Sequence, residues 1–383
     1  MKINKSTYFS LSLLALLTAG ASCQKDIVKY DDNYDNQLTS NGAPSVQKIS
    51  TAADLQTAIT AGELTQMIVL QGDNLAQVKS IRFNDVEVDL KTIYAVRSRI
   101  TLAVPRAVPA VVTNKITVVT EKGSTEFPFE VKIPNVVIDG FFNEFASPGD
   151  TTIVLGKYMD LYKLNETDGQ FMFNSTSIKP VRATSDSLYF VVPAGAAEGA
   201  VMTLSSDLME TPKSIRYRDR GLQIVDMNSL SDFITDGTAT GDPKPLPGFA
   251  KFIRFHQSSG AWSWNQFFWS GFDMQDAQIV ANPKDYEVHF EINTKTTAPI
   301  SVGNFIMDGG RSQMRWNLAA NGSFNTYGKW KTVRHPLIEF FKDDGQPNGS
   351  YLQMGWNNFV FVFQPTAETN DDFSIVNIRI VKK

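Results

Sequence analysis

From residue 44 to its last residues this chain is a succession of short apolar or alternating runs, four to eight residues each, bounded by Gly, Pro, Asn or Asp. That is the signature of strands, and no long amphipathic helical stretch interrupts it. The runs also recur. Pro44-Ser45-Val46 and Pro134-Asn135-Val136 open two stretches about ninety residues apart. Met67-Ile68-Val69-Leu70 and Ile153-Val154-Leu155-Gly156 follow, and Ile100-Thr101-Leu102-Ala103-Val104-Pro105 and Leu188-Tyr189-Phe190-Val191-Val192-Pro193 come later. A period that long suits tandem modules and is far beyond a solenoid repeat. The sequence therefore predicts an all-β chain: a β-sandwich over 44–133, a second and divergent copy over 134–219, and a different domain over 220–383.

In the first copy, Leu70-Gln71-Gly72-Asp73-Asn74-Leu75, Ile81-Arg82-Phe83-Asn84, Val104-Pro105 and Ile116-Thr117-Val118-Val119-Thr120 resemble an immunoglobulin-like IPT/TIG domain. Its Gly and Asn supply tight turns at strand corners. The second copy keeps Val192-Pro193 but has Gly156-Lys157-Tyr158-Met159-Asp160 at that corner. Neither copy clusters polar residues in a way that suggests chemistry, so both are expected to act as spacers. Short junctions at Ile133-Pro134 and Tyr217-Arg218-Asp219-Arg220-Gly221 predict an extended, fairly stiff rod.

At the N-terminus, Lys2 and Lys5 precede an apolar run from Leu11 to Leu17 and small residues ending at Cys23. This predicts a cleavable signal over 1–22, too short to span a bilayer. Gly20-Ala21-Ser22-Cys23 resembles a bacterial lipobox, which implies lipidation of Cys23 and anchoring by two or more acyl chains. Cys23 is the only cysteine, which excludes disulfides, thiolate zinc sites and a catalytic cysteine. Residues 23–43 are polar and acidic and are expected to form a flexible tether. Lys25-Asp26, with Asp31 and Asp32, resembles the export signal of Bacteroidota surface lipoproteins, implying an outer-membrane anchor facing the cell exterior. A net charge of −4 and a pI near 5.5 argue against nucleic acid or an anionic membrane as the main partner.

The last third changes character, because all six tryptophans lie there. Tyr286-Glu287-Val288-His289-Phe290-Glu291-Ile292 puts apolar side chains on one face and Glu287, His289 and Glu291 on the other, read as a solvated or ligand-lining face. Phe359-Val360-Phe361-Val362-Phe363 is apolar on both faces, like an inner strand, and Phe373 to Ile380 make a closing strand. Together these predict an antiparallel two-sheet sandwich, a jelly roll. The run from Trp330 to Phe340, with that closing strand, resembles the late strands of jelly-roll carbohydrate-binding modules. With its lipidated start and tandem IPT-like units, the architecture resembles the surface glycan-binding lipoproteins encoded beside Bacteroidota glycan importers, of the xyloglucan-binding type. The resemblance implies a non-catalytic monomer without a cofactor, which captures polysaccharide on an aromatic platform of its C-terminal domain and supplies an importer complex.

Indole rings suit that task, because equatorial β-glycans present flat C–H faces that stack on them. About 80 Å² of apolar area buried per sugar is worth roughly 2 kcal/mol. Three stacks, set against association costs, predict micromolar to millimolar affinity. If extended, Trp262 and Trp264 share one side with Asn265 adjacent, and Arg315-Trp316-Asn317 sets an aromatic between two hydrogen-bonding side chains. Trp262, Trp264 and Trp316 are the leading ligand contacts, Trp330 and Trp269 follow with Tyr327 near Trp330, and Trp356 is assigned to packing. A core role is the alternative for each.

Two other classes remain open: a glycoside hydrolase or lyase, and an adhesin that binds protein. The first needs paired carboxylates, yet Glu287 and Glu291 on one strand stand about 13 Å apart. The three histidines show no metal-binding spacing, and a structural calcium on backbone and Asp oxygens stays open.

Overall fold

The computed structural model describes residues 37–228, 233–308 and 313–383. The signal segment, Cys23, Lys25, Asp26, Asp31 and Asp32 lie outside the described residues. The chain divides into two compact units, Met1–Asn135 and Val136–Lys383.

In the first unit, one sheet orders the strands Ser45–Thr51, Met67–Asp73, Arg99–Ala103 and Tyr94–Val96. A second orders Val86–Glu87, Val78–Phe83, Lys115–Thr120 and Gly123–Pro128, and Ala61–Glu63 pairs in parallel with Glu130–Lys132. Ile68, Leu70, Ile81, Phe83, Ile100, Ile116 and Val118 fill the space between the first two sheets. Residues 37–43, expected within the tether, are held in place. The Asn74 side-chain oxygen accepts from the Asn41 and Gly42 N–H groups, and the Ser40 hydroxyl donates to the Ala76 carbonyl.

The second unit opens with the same connectivity. Val137–Phe141, Thr151–Lys157, Ser187–Val191 and Arg182–Ala183 form one sheet, and Thr176–Ile178, Gln170–Phe173, Val201–Ser205 and Lys213–Arg216 the other. One detail carries the repeat at residue level. A Cβ on Gly72 would lie 1.9 Å from the Ser45 carbonyl oxygen, and one on Gly156 would lie 2.1 Å from that of Val137. Two residues further on, Asn74 and Tyr158 both adopt positive φ, 56° and 63°. The tight corner thus survives where the sequence motif is lost.

The rest of this unit has eight main strands: Phe252–Ser259, Asn265–Met274, Tyr286–Thr294, Asn304–Asp308, Gln313–Trp316, Lys331–Pro336, Gly355–Gln364 and Thr369–Lys382. The larger sheet takes them as first, eighth, third and sixth, with two short strands added; the smaller takes second, seventh, fourth and fifth. Two antiparallel sheets wound in that order are a jelly roll. Phenyl rings from both sheets meet between them, as in Phe363–Phe373 at 5.1 Å and Phe290–Phe361 at 5.9 Å. Such edge-on and tilted pairs add to the area they bury. Phe145, from the module upstream, belongs to this same core and packs edge-on to Phe249 at 5.5 Å.

Candidate functional site

The outward face of the smaller sheet is built on the pairing of Asn265–Met274 with Gly355–Gln364. Alternation alone would put Gln266 and Trp269 on opposite faces. A bulge between Gln266 and Phe268 resets the register, so both point outward while Phe267 and Phe268 stay in the core. Trp269 is 74% exposed and lies opposite Val360. Four residues from Val360, about 13 Å along the strand, Trp356 is 53% exposed and lies opposite Asp273. Its indole rests against Gly271, where a Cβ would come within 2.8 Å of the ring. Glycine there lets the ring lie against the strand. The Trp356 N–H donates to the Asn358 side-chain oxygen on the same face at 3.2 Å.

At the other end of these strands the 260–264 loop carries two more exposed indoles, Trp262 at 61% and Trp264 at 46%. The Trp264 N–H donates to the Gln266 side chain at 3.4 Å. Trp262 holds φ 66°, a left-handed conformation that a bulky side chain rarely adopts. From Gln364, beside this loop, to Trp356 the strand covers about 26 Å, so four indoles with amides interleaved mark out a line. Tyr327, also exposed, sits on the loop that enters Lys331–Pro336 at the same end of the sandwich.

The outward face of the larger sheet is of another kind. Glu287, His289 and Glu291 do share a face, and the 141–146 segment of the preceding module covers His289 and Glu291, while Glu287 stays partly exposed beside a cavity of about 660 Å³ that Glu144, His289 and Arg334 also line. Glu144 accepts from Arg379 at 2.6 Å and from Arg334 at 2.8 Å, and Arg334 also donates to the Phe141 carbonyl. Arg379 is fully buried and donates to Glu291 at 3.0 and 3.1 Å. His289 stands between Glu287 at 3.0 Å and Glu144 at 3.3 Å. Burial works against the charged form of Glu144, yet the His289 contact and the Arg379 and Arg334 charges outweigh it and hold its carboxyl below the usual carboxylate range. Glu291 goes the other way, raised by desolvation that Arg379 offsets only in part. The hydrogen bond from His289, ahead of burial, lowers Glu287. Glu291 thus exposes no oxygen to any substrate.

Four sequence-based assignments need correction. Trp330 is 7% exposed: it packs edge-on to Phe252 at 5.6 Å, and its N–H donates to the Lys244 carbonyl, so it belongs to the core. Trp316 faces inward, half-buried against Phe290 at 5.7 Å and His335 at 4.5 Å. Asn265 is buried, its amide spent on Gln257, Ser259 and the Phe363 carbonyl. Trp356, assigned to packing, stands on the open face. Arg315 is exposed on that face and donates to the Gln364 side chain, while Asn317 closes the next turn by accepting from the Ala319 N–H. Sequence reasoning missed Gly271, Asn358 and Gln364. Parity could have found Asn358 and Trp356, since both oppose Phe359, Phe361 and Phe363 along one strand. Among the described residues no group of three or more His, Cys, Asp or Glu side chains could hold a metal ion. Nor is any helix there long and apolar enough to cross a membrane.

Residues 217–382 match the family model described as the surface glycan-binding protein B xyloglucan-binding domain. Over those residues the chain is similar to the surface glycan-binding protein B family. That family is one of cell-surface glycan-binding proteins and not of enzymes. A solved structure of a surface glycan-binding protein B from Prevotella bryantii shares the fold, at 17% identity and a TM-score of 0.51, covering 90% of this chain and 99% of its own. The corresponding protein from a complex xyloglucan utilization locus of Bacteroides uniformis aligns at 16% identity, covering 89% of this chain and 100% of its own, with a TM-score of 0.44. No curated protein matches the chain.

Proposed function

We propose that the glycan-binding domain captures a neutral plant β-glycan, xyloglucan or a related β-glucan or mannan, along the outward face of its smaller sheet. Trp262, Trp264, Trp269 and Trp356 are the stacking surfaces, and Gln266 and Asn358 serve sugar hydroxyls from between them. The observation that carries this reading is the line of four indoles left in water beside a core already rich in phenyl rings. An exposed apolar row of this size is a recognition surface. A linear row fits a linear polymer, and uncharged amides between the rings fit hydroxyl groups. The family description supplies xyloglucan as the first ligand to try. Lipidation at Cys23, an outer-membrane site facing the exterior, and delivery to an importer complete the proposal, resting on the sequence motifs alone.

Affinity electrophoresis of the mature chain in gels containing xyloglucan, mixed-linkage β-glucan or mannan tests it. Retardation by at least one, without release of reducing ends, is expected. Hydrolysis would place the protein among the enzymes, and mobility unchanged by every glycan would leave the adhesin reading.

A further inference from the structure

We propose that Gln364 is a positioning residue that fixes Trp262 for ligand stacking without itself touching the ligand. This rests on the glycan reading above. Gln364 ends the strand Gly355–Gln364 and is 9% exposed, with both ends of its amide engaged. Its side-chain oxygen accepts from the Arg315 guanidinium, and its side-chain nitrogen donates to the Trp262 carbonyl at 3.3 Å. A guanidinium can only donate, so it dictates which end of the amide is oxygen. The N–H end is thereby aimed at Trp262. The other backbone group of Trp262 is held as well, its N–H donating to the Pro365 carbonyl at 2.8 Å.

Trp262 is therefore gripped on both sides by residues 364 and 365 while its ring stays in water and its backbone keeps φ 66°. A turn needing only closure could place a glycine at positive φ without strain. Gly260 lies two residues away, yet the strained position holds the tryptophan. Strain held in place by a buried amide and presented with an exposed aromatic is the pattern of a preorganised contact. Arg315, read from sequence as a ligand contact, acts here as the buttress of the clamp.

A double-mutant cycle on the mature chain, titrated with xyloglucan oligosaccharide, decides the matter. Gln364→Leu is expected to weaken binding about 5-fold in the native background and less than about 2-fold in the Trp262→Ala background, because a relaxed Trp262 must be reordered by the ligand. Gln364→Glu keeps the acceptor for Arg315 but offers no N–H, so it should behave like the leucine variant and covers the case in which leucine misfolds. Equal losses in both backgrounds, or binding unchanged by Gln364→Leu while Trp262→Ala weakens it, would overturn the clamp. Native affinity in Trp262→Ala would overturn it too, leaving the glycan reading to Trp269 and Trp356. A native chain that binds no glycan would remove that reading and the clamp together.

Discussion

On the larger sheet of the C-terminal sandwich, an outward row of Glu, His and Arg is mostly withdrawn from water, with His289, Glu291 and Arg379 buried and Glu287 only partly so. On the smaller sheet, an outward row of tryptophans is left in water. Residue type did not decide exposure on either face; the presence of a covering segment did. Where the preceding module lies, charges can be buried because each finds an opposite partner, and Glu144 reaches Arg379 and Arg334 at once. On the smaller sheet the outward Val362 and Ile306 are buried, yet no described segment covers the four indoles, and they stay exposed, a state that hydrophobic burial opposes and a ligand would relieve. One face therefore reads as structural and the other as functional.

The contrast breaks most forcefully at Arg379. Arg379→Met leaves Glu144 and Glu291 buried without their guanidinium, a loss expected to cost about 3–5 kcal/mol. Thermal unfolding of the Val136–Lys383 unit should move down by about 10 °C. Glycan affinity at 25 °C should not change, because Arg379 is fully buried on the sheet opposite the indole row. Trp316 gives an intermediate effect. Its inward ring makes Trp316→Ala a stability variant, costing about 2–3 kcal/mol in urea unfolding, short of a fully buried ring, with native glycan affinity. Trp269→Ala should show the reverse, with a stability change within about 0.5 kcal/mol.

The smallest effect is in the acid limb. Glu287 is lowered by its hydrogen bond from His289, so the stability it contributes is present above the ordinary glutamate range near 4.5 and is lost as pH falls through its lower folded value. Glu287→Gln should flatten the wild-type stability slope below about pH 4.5 and cost under about 1 kcal/mol at pH 7, solvent screening included. A slope that is unchanged would show that the His289 contact does not persist in solution.

Much of this fold was legible in alternation and punctuation. The apolar parity of Tyr286–Thr294 and the phenylalanines of Gly355–Gln364 gave the core, and the ninety-residue recurrence gave two sandwiches whose sheets indeed share one connectivity. What alternation cannot supply is a partner distant in sequence. Glu287, His289 and Glu291 were placed on the outward side, but the segment that covers them, 141–146, lies far upstream and carries no local sign of it. Nor does alternation survive a bulge: the reset between Gln266 and Phe268 is what aligns Trp269 with Gln266. Trp316 misled for a third reason, since Arg315 beside it points to the outward face while its own ring points in, opposite Phe305. The candidate face could be located in the last third of the chain, but its members could be sorted only by burial.

The central claim is that the indole row of the smaller sheet is the binding surface. Calorimetric titration of Trp269→Ala/Trp356→Ala with xyloglucan, on protein whose unfolding matches wild type, tests it most directly. Two lost stacks at roughly 2 kcal/mol each should weaken binding by a factor of several hundred or abolish detectable heat. Wild-type affinity in that folded double variant would contradict the account.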